Sequence, residues 1–184
     1  MSENDQNLKR DAGKPRMDLL PWQEFTPFEG RVPVGTMYDA LQKWWVGAPF
    51  SMANLDCVPR VELAGVATVL AFGATKYPPR GWEAGIPYSR VFAAACRHAE
   101  ALHRGERIDS ESGLAHESHF WCNVLFLVVF ARRNRTDLDD RPAPVPAIVD
   151  ALARAAEPAS TRHPMDSMLS SGWSRLTGAK EKAS

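Results

Sequence analysis

SRVFAAACRHAEALHRGERIDSESGLAHESHFWCNVLFLVVFARR, residues 89–133, holds two helical patterns separated by one break. In the first, Val91, Phe92, Ala95, Cys96, Ala99 and Leu102 recur at helical spacing up to a stop at Gly105. Ser89 stands where an N-cap is expected. The link Glu106–Gly113 is acidic and loop-like. Leu114–Arg133 then forms the strongest helical segment of the chain, apolar on most sides from Trp121 to Phe130. A helix apolar all round is a buried one, so this segment is expected at the centre. A short link makes two helices antiparallel neighbours, and the stretch reads as a helical hairpin over about 89–105 and 114–133.

Upstream, Pro59 opens a further helical pattern, carried by Val61, Leu63, Ala64, Ala67, Val69, Leu70 and Phe72 and closed by Lys76-Tyr77. Tyr77–Tyr88, YPPRGWEAGIPY, is a loop because Pro and Gly punctuate it. Residues 22–58 mix aromatics with Pro and Gly. A short helix is expected over Thr36–Val46, and the segment reads as a lid or packing elaboration outside the core. Residues 1–16 are polar and expected to be mobile, with order beginning at Met17–Pro21. Downstream, residues 134–145 break the pattern and Ala147–Ala156 is a small helical patch. The rest of the tail is polar. Clean alternation over 4–8 residues is missing, so strands are not expected. The fold class is therefore all-α: a helical bundle in one domain over residues 17–134, with a partly helical, weakly structured extension over 135–184.

The 184 residues are 45% hydrophobic and 24% charged, a globular composition. Lys+Arg and Asp+Glu both count 22, so the surplus of positive charge typical of a nucleic-acid binder is missing and no direct nucleic-acid role is expected. The longest apolar run, Val124–Ala131, is far short of the ~20 residues of a membrane span. Residues 1–18 carry no apolar signal core, and a soluble, cytoplasmic protein is expected. Cys57, Cys96 and Cys122 form no CxxC pair; Cys96 and Cys122 read as buried thiols.

Four of the five histidines, His98, His103, His116 and His119, crowd into residues 98–119, together with Glu100, Glu106, Asp109, Glu111 and Glu117. In an antiparallel hairpin, residues equally far from the turn face each other. That sets His98 level with His119 and Asn123, while His116, His119 and Asn123 share one face of the second helix. Glu106, Asp109 and Glu111 would stand at the mouth. Convergent imidazoles and carboxylates bind a divalent metal, shift one another's pKa for acid-base work, or form a buried polar network. Glu100 and Glu117 read as solvated. Lys76, Arg80, Arg97 and Arg104 could supply positive charge to a phosphate. Trp82 either stacks a base or plugs the core, the plug being the preferred reading.

Phe72–Glu83 (FGATKYPPRGWE), Arg97-His98, Gly105-Glu106, Asp109, Glu111-Ser112-Gly113, His116, His119, Asn123 and the early KPRMDLLP of residues 14–21 together resemble a phage and prophage family. It is the dATP/dGTP diphosphohydrolase N-terminal-domain family, related to MazG-like all-α nucleotide pyrophosphohydrolases. The resemblance implies a metal-dependent hydrolase that cleaves a (deoxy)purine nucleoside triphosphate between its α and β phosphates, with Mg²⁺ or Mn²⁺ as cofactor, in a homo-oligomer. MazG-like enzymes mark their metal site with EExxE; this chain has none, and Glu62 is the only acidic residue on its helix. The expected metal set is Glu106, Asp109, Glu111, Glu62 and His116. The expected catalytic groups are His98, His119 and Glu111, and the expected substrate contacts are Lys76, Arg97, Trp82 and Asn123. Two rivals stand beside this reading. An HD-type triphosphohydrolase would need an adjacent His-Asp dyad, which the chain lacks. A non-catalytic helical scaffold would use the aromatic-rich residues 22–50 as its contact surface.

Overall fold

A computed structural model describes residues 14–24, 30–48, 58–144 and 146–156. Readings made for residues 1–13, 25–29, 49–57 and 157–184, Cys57 and Trp173 among them, lie outside these. The described residues form five α-helices: α1 Val34–Trp45, α2 Leu63–Lys76, α3 Tyr88–His103, α4 His116–Arg132 and α5 Pro146–Ala156. They contain no strand; one isolated antiparallel bridge, Ile108 with Ala115, closes the loop between α3 and α4. The all-α expectation holds.

The centre is α4, for the reason its sequence suggests. Phe120, Trp121, Val124, Leu125, Leu127, Val128, Val129 and Phe130 are all buried, so nearly every side of this helix meets protein. Truncating one such side chain, Leu125→Ala for instance, costs about 2–5 kcal/mol. The adjacent helix α3 packs on α4 through Val91, Ala95 and Ala99, spaced four apart on one face and small enough for close approach. On the other side, α2 buries Leu63, Val66, Ala67 and Leu70 at helical spacing. Gly65 is needed there: a Cβ at that position would stand 2.2 Å from Ser118 Oγ. A side chain would force α2 away from α4.

Helix ends follow local chemistry. Tyr77 is extended ahead of Pro78, the conformation that a following proline imposes, and α2 stops there. The α3 start differs from expectation. Pro87, not Ser89, occupies the N-cap position and the helix begins at Tyr88. The Ser89 hydroxyl instead donates to Asp140, which also accepts the Ser89 N–H at 2.8 Å.

Residues 22–58 require a correction. Helix α1 is not a peripheral elaboration: Met37, Leu41 and Trp44 are 1%, 0% and 4% exposed and belong to the same core as α4. Trp45 stacks on Phe92 of α3, centroids 4.3 Å apart, and Trp44 packs at 5.6 Å from Tyr88. Aromatic side chains carry a large apolar area, which lets this short helix join the core despite the Pro and Gly around it. Of the cysteines, Cys122 is buried as expected, its thiol pushed up to about 12 by burial; Cys96 is only half-buried.

Candidate active site at the hairpin tip

The α3–α4 turn builds the site. Glu106 N–H bonds back to Ala101 O at 2.9 Å, and His116 N–H reaches Arg107 O at 3.0 Å, so the loop folds against both helix ends. Gly113, at φ +70°, takes a left-handed turn that a side chain would disfavour, three residues before α4. The hairpin register brings three rings together. His98 lies 4.6 Å from His119, nearly parallel at 14°, and 5.1 Å from His116. The Nδ1 atoms of His98 and His116 are 2.8 Å apart.

Asp109 completes the group. One ligand atom each from His98, Asp109 and His116 lies within 4.8 Å of the others. The three line one wall of a cleft of about 590 Å³ that also exposes Arg97, Arg104 and Glu106. Ser112 anchors Asp109: its N–H and its hydroxyl both reach Oδ2, at 2.9 and 2.8 Å. The Ser112 oxygen also lies 2.7 Å from His119 Nε2. Sequence reasoning missed Ser112, although its place in the DSESG string was a usable signal.

Electrostatics distinguish these groups. Burial and the neighbouring His119 and His116 depress the His98 pKa to about 4, leaving its ring neutral near neutral pH. Burial also lowers the His119 pKa. For Asp109 burial acts upward, yet the Ser112 hydrogen bonds and the adjacent histidines hold its carboxyl below the ordinary range. The result is two imidazoles and one ionised carboxylate converging, a donor set that suits a divalent transition metal.

The other expected site residues stand outside the His98–Asp109–His116 cluster, Arg97 and Glu106 on the cleft wall and the rest beyond it. Glu106 is exposed and paired with Arg104 at 2.8 Å, which lowers its pKa. Glu111 pairs with Lys76 of α2 at 2.5 Å, on side chains 75% and 41% exposed. Glu62 lies apart from the histidine group, its pKa raised by burial and by Glu117. Asn123 donates to the His119 carbonyl at 2.8 Å, within its own helix. Trp82 stacks on Phe126 at 4.3 Å, packed against the core. Glu100, read as solvated, lines the cleft and accepts a 2.9 Å bond from the Tyr38 hydroxyl. Among the described residues Arg97 makes no ion pair.

The chain is thus all-α, with a His–His–Asp cluster beside two arginines in one cleft. Comparison with known sequences narrows the class. The family model for the dATP/dGTP diphosphohydrolase N-terminal region matches residues 49–141, half of the chain and every site residue above, and the chain belongs to that family. A dATP/dGTP diphosphohydrolase of Salmonella phage PMBT28 is 35% identical over 85 residues, 45% of this chain. The match spans 29% of that relative's length. No solved structure matches. Among the described residues no helix is long and apolar enough to cross a membrane.

Proposed function

We propose that the chain hydrolyses deoxypurine nucleoside triphosphates of the dATP/dGTP type to the monophosphate and pyrophosphate, in the nucleotide metabolism of a phage. The observation that carries this reading is the convergence of His98, Asp109 and His116 beside the arginine-bearing cleft, within the residues that match the family. The donors fit a divalent cation. Mg²⁺ prefers an all-oxygen shell, whereas two imidazoles favour Mn²⁺ or a softer metal, so Mn²⁺ is the better match of the two expected cofactors. A cation held by His98, Asp109 and His116 would neutralise phosphate charge and lower the pKa of the attacking water.

The chain's own groups supply the rest. Arg97, without an ion-pair partner among the described residues, binds phosphate oxygens and stabilises charge that builds up as the α–β bond breaks. Arg104 is the second cation of the cleft and keeps Glu106 ionised. Water attacks the α-phosphorus, and pyrophosphate is the leaving group. Lys76 and Glu111 pair with each other and are not part of the cleft lining.

Product analysis tests the proposal. The full chain is incubated with each dNTP and NTP plus Mg²⁺ or Mn²⁺, and products are resolved by anion exchange. Monophosphate and pyrophosphate from purine substrates, faster with Mn²⁺, are expected. Nucleoside and triphosphate would instead favour HD-type chemistry, to which a mixed His/Asp donor set is also suited. No turnover by folded protein would leave the scaffold reading.

A further inference from the structure

Ser112 has one hydroxyl proton and three polar neighbours. Its oxygen lies 2.8 Å from Asp109 Oδ2, 2.7 Å from His119 Nε2 and 3.2 Å from the Leu114 amide nitrogen. The Leu114 N–H can only donate. The Asp109 carboxylate, ionised near neutral pH, can only accept. The single Ser112 proton therefore goes to Asp109, because otherwise two oxygens would face each other at 2.8 Å with no proton between them. The Ser112 lone pairs are then left to take the Leu114 N–H and a second N–H from His119 Nε2. Proton counting thus fixes the ring tautomer, which the heavy-atom positions alone leave open.

His119 stands behind the site, not in it. Its side chain is 12% exposed, its ring lies flat against His98, and it is absent from the cleft wall that His98, Asp109 and His116 line. Its Nε2 is 4.0 Å from Asp109 Oδ2, too far for a direct bond, so Ser112 is the link. Among the described residues, Asp109 Oδ2 takes both Ser112 bonds and Oδ1 takes none.

We propose that Ser112 and His119 are positioning residues. They form a one-way hydrogen-bond chain, His119 Nε2–H to Ser112 Oγ–H to Asp109 Oδ2, that orients the Asp109 carboxylate toward His98 and His116. His119 in this arrangement is a fixed donor and takes no proton from water. The catalytic consequence rests on the hydrolase reading above; the direction of the chain does not. Partners of this kind, one layer behind a ligand, typically contribute ten- to a hundredfold to metal affinity or activity.

Two measurements test the proposal on the full-length chain. Long-range ¹H–¹⁵N correlation of the histidine rings near neutral pH reads the His119 tautomer directly. The Nε2–H form is expected in the wild type and a mixture of tautomers in Ser112→Ala. A wild-type ring protonated on Nδ1 alone, with Nε2 accepting from Ser112, overturns the proposal. In the product assay, His119→Gln retains a donor amide but cannot take up a proton, and kcat is expected to stay within about tenfold of wild type. A general base would lose about 10²–10⁴-fold, and a loss of that size in a folded His119→Gln would also overturn it. Wild-type protein that hydrolyses no nucleotide would remove the hydrolase reading, and the tautomer would still decide the hydrogen-bond chain.

Discussion

The two ends of the α3–α4 hairpin are both polar and partly buried, yet their charges are balanced in opposite ways. At the end far from the turn, the Arg133 guanidinium binds Glu24 through two nitrogens, at 2.9 and 2.5 Å, and Glu83 at 2.7 Å. The adjacent Arg132 donates to the Glu24 carbonyl. Each carboxylate there faces a guanidinium, Glu83 Oε1 lying 2.5 Å from Arg80 Nε, and burial of Glu83 is offset by Arg133 and Arg80, which hold its carboxyl ionised. At the turn, two imidazole nitrogens face each other at 2.8 Å, where only one proton fits, and among the described residues no guanidinium is bonded to the adjacent carboxylate. A lock has its donors and acceptors paired. A site keeps lone pairs in reserve for a ligand, at some cost in stability. The far end is a lock that ties the N-terminal segment and the 77–88 loop to α4, and the tip is the candidate site.

This contrast can be broken experimentally. The largest effect is expected from Asp109→Ala, which should lower dGTP hydrolysis by at least about a hundredfold, because it removes the one carboxylate of the cluster. Circular dichroism should show unchanged helix content, and a collapsed helical signal would make Asp109 structural. Next, Arg133→Ala should reduce unfolding free energy by about 1–3 kcal/mol, since it strands two half-buried carboxylates. Denaturant melts check this, and kcat should be unchanged because the lock is not part of the cleft. A drop in kcat with no loss of stability would erase the distinction between the ends.

The smallest effect is a pH dependence of stability from the tip. The His98 pKa falls from 6.5 to about 4 on folding, so between these values the unfolded chain binds more protons than the folded one. Stability is then fully present above about pH 6.5 and declines as pH falls toward 4. Thermal melts over this window should show the midpoint falling on acidification, with a weaker slope in His98→Gln. An equal slope in the variant would assign the dependence to other groups.

Much of the molecule was legible in its residues. The hairpin, the buried α4 and the break at Tyr77–Tyr88 follow from apolar periodicity and from Pro and Gly, which act locally. Convergence of His98, His116 and His119 followed from counting residues away from the turn, since helical rise fixes the register. Trp82 plugs the core as preferred, whereas Asn123, expected to converge with the histidine rings, spends its amide on the His119 carbonyl of its own helix.

What the sequence alone determined was the set of elements and which residues share a face, because those depend on backbone periods of a few residues. Only the tertiary structure decided which carboxylate and which hydroxyl join the histidines. Asp109 was one of three equivalent loop carboxylates until the fold paired Glu106 with Arg104 and Glu111 with Lys76, leaving Asp109 beside the histidines. Ser112 became a link only when α4 brought His119 to within 2.7 Å of it. The burial of α1 likewise depended on contacts with α3 and the core, which no local pattern encodes. Hydrogen bonds act over about 3 Å, so their pairing is settled only when packing has placed each side chain.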